Sequence, residues 1–113
     1  MAKQITRQQL AARYAANPKL IVLEALPEKY YVEGHLPGAL HMPHDQVGKL
    51  ARQLSPDLSA EIVVYCAGKT CNNSHIATNR LTQLGYTNVS VYAGGKQDWS
   101  EAGGALERAA ATV

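Results

Sequence analysis

A mainly parallel β-sheet flanked by helices is the fold class this sequence predicts, on three observations. Two short apolar segments read as strands: "LIVLEA" (20–25), whose lack of alternation suggests burial on both faces of a parallel sheet, and "EIVVYC" (61–66), short and rich in β-branched residues. Segments with helical spacing lie between and after them, which is the strand-helix alternation that builds parallel sheets. At 113 residues the chain is long enough for one hydrophobic core and too short for two ordinary ones.

Each element follows from local signals. Thr6 with Gln9 forms a capping-box signature, and Leu10, Ala11 and Tyr14 carry a first helix until Asn17-Pro18 ends it. "LIVLEA" is the first expected strand. "LPEKYYVEGHLPGALHMP" reads as a helical turn, a His-Leu-Pro-Gly loop and a brief strand over 39–42. Residues 45–54 form a second helix with Val47, Leu50, Ala51 and Leu54 on one face. "EIVVYC" is the clearest strand, short and rich in β-branched residues, and it stops at Cys66. From Asn72 the period becomes 3.6, with Ile76, Ala77, Leu81 and Leu84 on one side and Gly85 in the C-terminal capping position. "NVSVYA" returns to strand, Gly94-Gly95 breaks it, and "KQDWSEAG" is a short last helix anchored by Trp99.

Composition narrows the function classes. Eleven Lys and Arg against nine Asp and Glu leave a formal charge of +2, with no basic block or aromatic-interleaved basic stripe, so nucleic acid is not an expected partner. The N-terminus lacks the apolar stretch of a secretory signal, and no apolar run approaches the roughly 18 residues of a membrane span, so a cytoplasmic protein with no membrane partner is expected. The two cysteines, Cys66 and Cys71, are then closer in kind to reactive or metal-binding thiols than to a structural staple.

In open parallel sheets ligands collect at the carboxyl ends of strands, and Cys66 stands at such an end. The intervening "AGKT" includes Gly68 and leads into a helix start, whose free N–H groups and dipole favour an anion. A thiol there, with Lys69 nearby, is expected to ionise more readily than a free one, whose value is about 8.5, and to serve as a nucleophile. Cys71 is open between a bystander, a resolving thiol and a second nucleophile. A metal site would need His75 together with His35, His41 or His44 and is not expected, nor is any cofactor. Thr70, Asn72 and Asn73 suit either anion binding or helix capping. Tyr92 and Trp99 read as core or pocket wall, and Glu24 as a buried, hydrogen-bonded acid.

The segments "GHLPGALHMP", "VVYCAGKTCNNSHIATNRLTQLGY" and "NVSVYAGGKQDW" together resemble the rhodanese-like domain, over residues 20 to about 103. The resemblance implies a three-layer sandwich with a central parallel sheet, one domain over 1–113 with its core at about 18–104 and a tail at 105–113 that is expected to fray. It also implies sulfurtransferase chemistry. A sulfane sulfur would pass from a donor (thiosulfate, polysulfide or a protein persulfide) through a Cys66 persulfide to a thiol, which a protein partner could supply, or to cyanide. Cys66 would be the nucleophile, and Ala67, Gly68, Lys69, Thr70, Cys71 and Asn72 the substrate cradle. A loop of six residues counted from Cys66 goes with sulfur substrates in this family, whereas related phosphatases and arsenate reductases have one more residue and end on Arg. Two departures stand out: Cys71 occupies the place of the loop Arg, and Glu24-Ala25-Leu26 replaces the Asp-Val-Arg element, keeping an acid but losing the bracing Arg. The competing class is a non-enzymatic module that binds a partner or senses oxidants through Cys66 and Cys71.

Overall fold

Five parallel strands form one sheet in the order β1-β5-β4-β2-β3. The structure is a computed structural model that describes residues 3–108. Along the chain the elements are β1 (Lys3–Ile5), α1 (Arg7–Ala16), β2 (Ile21–Glu24), α2 (Glu28–Glu33), β3 (Leu40–His41), α3 (Val47–Leu54), β4 (Ile62–Tyr65), α4 (Asn73–Gln83), β5 (Val89–Tyr92) and α5 (Gly95–Glu101).

The strand parity divides the core in two. Leu23, Ile62, Val64 and Val89 face one side, where they pack with Val47 and Ala51 of α3, Ala77 and Leu81 of α4, and Tyr86. Val22, Val63, Tyr65 and Tyr92 face the other, against Leu10 of α1, Leu36 and Ala39, with Tyr14 and Trp99 packed onto them. β4 has both faces covered and all four residues buried, which is why its sequence is continuously apolar. This is the three-layer arrangement expected of the chain.

The punctuation residues act as their chemistry predicts. Thr6 caps α1 through the Gln9 N–H while the Gln9 side chain accepts from the Thr6 N–H. Leu36-Pro37-Gly38-Ala39 is a turn closed by the Ala39 N–H on Leu36 O at 3.0 Å, and Gly38 takes the positive φ of 71°. Gly85 ends α4 with φ 99°.

Five readings change. β1 escapes notice because three residues with two exposed side chains carry little pattern; it exists through pairing with β5. The third strand spans only Leu40–His41, and the helix expected from residue 45 begins as a 3-10 turn over His44–Gln46 before α3 proper. On α4, Ile76 and Leu84 are exposed, because the helix turns Ala77, Thr78 and Leu81 to the sheet. Of the tail, residues 109–113 lie outside those described, but 105–107 are tied down. His35 and Glu107 exchange backbone hydrogen bonds at 2.8 Å, and the Trp99 Nε1–H donates to Ala105 O at 2.9 Å. No helix among the described residues is long and apolar enough to cross a membrane.

The orientation of α4 makes a contrast that denaturant titration can read. Leu81→Ala is expected to lower the unfolding free energy by about 2–5 kcal/mol. Ile76→Ala, on the same helix and equally apolar, is expected to stay within about 0.5 kcal/mol. Equal losses would mean that α4 is rotated.

Candidate active site

Tyr65 is the last residue of β4, and its side chain faces the α1 and α5 side of the sheet. Strand parity therefore sends Cys66 to the opposite side, toward α4. Its Sγ lies at the start of that helix, 3.5 Å from Ser74 Oγ, and donates its proton to Cys71 O at 3.3 Å. Only 1 % of Cys66 is exposed.

Burial governs the ionisation of this thiol. The predicted depression is reversed: desolvation first, and the neighbouring Cys71 second, push the Cys66 thiol up. The Ser74 hydroxyl and backbone N–H at the helix start pull it down, as the dipole argument requires, but they lose to the missing water. A carbonyl acceptor on the proton also favours the neutral form. The resting state is a thiol.

The rest of the loop splits between two sides. Ala67 borders a mostly apolar groove of about 400 Å³ with Leu26, Tyr30, Gly34, Lys96 and Leu106. Lys69 and Thr70 are exposed and line a separate hollow with Gly94, Gln97, Asp98 and Glu101. Lys69 does not figure among the groups acting on the Cys66 thiol. Its charge instead helps hold the Asp98 carboxyl below the usual carboxylate range, after the Tyr92 hydroxyl and Arg7. Cys71 is half-buried, its N–H bonded to Gly68 O at 3.1 Å. Asn72 is exposed and occupies the N-cap position of α4 without a side-chain bond. Gly68 has no positive φ; a Cβ there would meet the Gln97 side chain, so the glycine serves a close approach to α5 rather than a sharp turn.

That approach is a second grip on the loop. The N–H groups of Lys96 and Gln97, at the start of α5, donate to Cys66 O at 2.9 Å and Ala67 O at 2.8 Å. Gly95 has φ 63°, and a Cβ there would clash with Cys66 O and lie 2.9 Å from Gly68 N. Beneath this contact, Glu24 is fully buried at the end of β2. Its Oε1 accepts the Tyr65 hydroxyl at 2.7 Å and pairs with Lys96 Nζ at 3.2 Å. Lys96 Nζ also donates to Tyr30 O at 2.8 Å, and the Leu36 N–H donates to the Tyr65 oxygen at 3.0 Å. Lys96 thus supplies a cation that the Glu24-Ala25-Leu26 stretch lacks. Sequence reasoning missed Lys96, Gly95 and Ser74 in these roles. A lysine directly after Gly94-Gly95, where the expected helix buries its first turn, was the one available signal for the first.

Among the described residues no histidine hydrogen-bonds to the Cys66 sulfur. His35 Nδ1–H donates to Tyr31 O at 2.8 Å and its ring stacks on Tyr31, while His41 Nε2–H donates to Leu26 O at 2.7 Å. His44 lines a different hollow with Pro27, Glu28 and Leu50. His75 sits half-buried on the first turn of α4. Among the described residues no three His, Cys, Asp or Glu side chains are placed to hold a metal ion. Tyr92 is buried and donates to Asp98, and Trp99 packs at a tilt on Tyr14, so both serve the core as expected.

The family model described as Rhodanese-like domain matches residues 6–102. An adenylyltransferase and sulfurtransferase of Candida albicans, UBA4, is 33% identical over 89 residues, covering 74% of this chain and 20% of its own length. An HTH-type transcriptional regulator of Mycobacterium tuberculosis, Rv0324, is 33% identical over 67 residues, 59% of this chain and 28% of its own. The chain thus spans less than a third of the length of these two curated relatives. The solution structure of the rhodanese-like domain from the Anabaena protein Alr3790 superposes with a TM-score of 0.80 at 31% identity, covering 96% of this chain and 81% of that one.

Two outcomes test this geometry. With the folded thiol held above its ordinary value, the unfolded chain loses its proton first as pH rises, so stability falls above about pH 8.5 and is insensitive below it. Cys66→Ser is expected to remove that fall in thermal melts between about pH 7.5 and 9.5, before unfolded tyrosines ionise; an unchanged slope would place the thiol in water. Gly95→Ala is expected to cost about 1–3 kcal/mol in urea titration, since its positive φ and its seat on Cys66 O are both incompatible with a Cβ.

Proposed function

The chain belongs to the rhodanese-like domain family, and on that premise we propose that it is a sulfurtransferase in which Cys66 carries a sulfane sulfur as a persulfide. Family membership and the sulfurtransferase among its relatives support sulfur transfer in general. The observation that carries the finer reading is the Cys66 sulfur itself, held at the carboxyl end of β4 against the first turn of α4, within reach of the Ser74 hydroxyl.

The reaction is a double displacement. Cys66 gives up its thiol proton to solvent, and the thiolate attacks the outer sulfur of the donor. The donor's sulfur–sulfur bond breaks and its electron pair leaves with the departing group, sulfite in the case of thiosulfate. An acceptor thiolate or cyanide then attacks the outer sulfur of the Cys66 persulfide and releases the Cys66 thiolate. Ser74 and the α4 start supply hydrogen bonds to the anionic sulfur that forms. The backbone of Ala67, Gly68, Lys69, Thr70, Cys71 and Asn72 forms the wall around it.

The donor class favoured is one of low charge, a polysulfide or another protein's persulfide. Residues 67–71 hold no arginine, and Lys69 lies toward Asp98, so a dianion such as thiosulfate finds little to neutralise it in the loop. The acceptor is a thiol, on a protein or a small molecule. A second reading, a redox-sensing module, is favoured by one observation: Cys71 lies against Cys66, its carbonyl accepting from the Cys66 S–H at 3.3 Å, and it helps push the Cys66 thiol up. A relative described as a transcriptional regulator suits that class.

Intact mass after incubation of the reduced protein with polysulfide, and separately with thiosulfate, separates the two. The expected result is a gain of one sulfur, about 32 Da, from polysulfide, less from thiosulfate, and none in Cys66→Ser. Cys71→Ser is expected to keep the gain. No added sulfur from either donor, with a loss of two hydrogens under mild oxidant, would replace the transferase by the sensing module.

A further inference from the structure

The ion pair beneath the loop is more than a filling of the core. Glu24 has no contact with water, and one of its two oxygens, Oε2, has no hydrogen-bond partner among the described residues. A buried carboxylate so under-satisfied depends on its cation. That cation is Lys96 Nζ, 3.2 Å from Oε1. The same residue is the one whose backbone N–H holds Cys66 O at 2.9 Å. The side chain is thus anchored at the end of β2, while the amide of the same residue fixes the peptide plane that follows the nucleophile.

We infer that Lys96 is a positioning residue for Cys66: its ammonium, locked between Glu24 and Tyr30 O, sets where α5 starts and thereby how the Cys66–Ala67 peptide is held. The inference rests on reading Cys66 as the nucleophile, but its geometry stands apart from any donor. Three features converge on it. Tyr65, adjacent to Cys66, bonds the same Oε1 at 2.7 Å, so the carboxylate fixes both the residue before the nucleophile and the helix that holds the residue itself. Gly95 lets the helix start approach Cys66 O where a Cβ would clash. The Gln97 N–H holds the next carbonyl, Ala67 O, at 2.8 Å, so a shift of α5 moves two consecutive peptides. The loop is gripped from both faces of the sheet: α4 faces the sulfur and α5 holds the carbonyls. Releasing the α5 grip frees the loop to open, which exposes a thiol that is 1 % exposed when closed, and misplaces it for attack on a donor.

These two effects have opposite signs, and that makes the test decisive. The alkylation rate of Cys66 by iodoacetamide, in a Cys71→Ser background, reads opening; sulfur uptake from polysulfide, by intact mass over time, reads alignment. Glu24→Gln with Lys96→Met removes both charges together, so no lone buried charge is left. That double variant is expected to melt within a few degrees of its parent, to alkylate about tenfold faster and to take up sulfur at least about tenfold more slowly. Lys96→Arg, which keeps the charge, is expected to restore both rates to within about threefold of the parent. Alkylation and uptake at parental rates in the double variant would overturn the proposal and leave the pair a plain core contact. Should the double variant not fold by circular dichroism, the isosteric Glu24→Gln alone carries the same comparison, with unchanged alkylation as the refuting result. If the parent takes up no sulfur at all, the transferase reading fails while the alkylation arm still decides the role of Lys96.

Discussion

A carboxylate sealed from water at the end of β2 is the constraint on which the rest of this structure depends. Burying the Glu24 charge is unfavourable by several kcal/mol unless partners replace the lost water. The partners come from four separate parts of the chain: the Tyr65 hydroxyl from β4, Lys96 from α5, and behind them Tyr30 O from α2 and the Leu36 N–H from the turn that follows. Satisfying one acid therefore draws the carboxyl ends of two strands, one helix start and one turn to a common point. It also raises the Tyr65 phenol far above its ordinary range, through burial first and the Glu24 charge second, so that hydroxyl remains a donor at any physiological pH.

The chemistry at Cys66 is shaped by a contest between burial and the helix start. Electrostatics at the N-terminus of α4 favours a thiolate, and were the sulfur in contact with water that preference would prevail. In the closed loop desolvation is larger, and the S–H donates to the Cys71 carbonyl. The same closure that shields the sulfur keeps it protonated. A thiolate in the same position would face the Cys71 carbonyl oxygen with no proton between them, which adds to the preference for the neutral form.

Much of the fold was legible in the chain. The β-branched run Ile62–Tyr65 and the apolar run Ile21–Glu24 had to be buried on both faces, and only a parallel sheet covered by two helix layers does that for segments so short. The capping box at Thr6, the Leu36-Pro37-Gly38-Ala39 turn and the glycine ending α4 are local, and each was readable from a few neighbours. β1 and the orientation of Ile76 and Leu84 were not, because their states are set by what packs against them rather than by their own sequence.

The site divides along the same line. That Cys66 ends a buried strand, precedes a short loop and faces a helix start is a statement about sequence neighbours, so the sequence alone determined it. Which way the contest over its proton falls, and where Lys69 points, are properties of solvent exclusion and of side chains meeting across the sheet. Tertiary structure alone decided them. The pairing of Glu24 with Lys96 is the clearest case: 72 positions separate the two residues, and no local pattern reports a contact between them. The sheet order that sets β4 between β2 and β5 brings their ends together, and the cost of an unpaired buried charge then makes the contact obligatory.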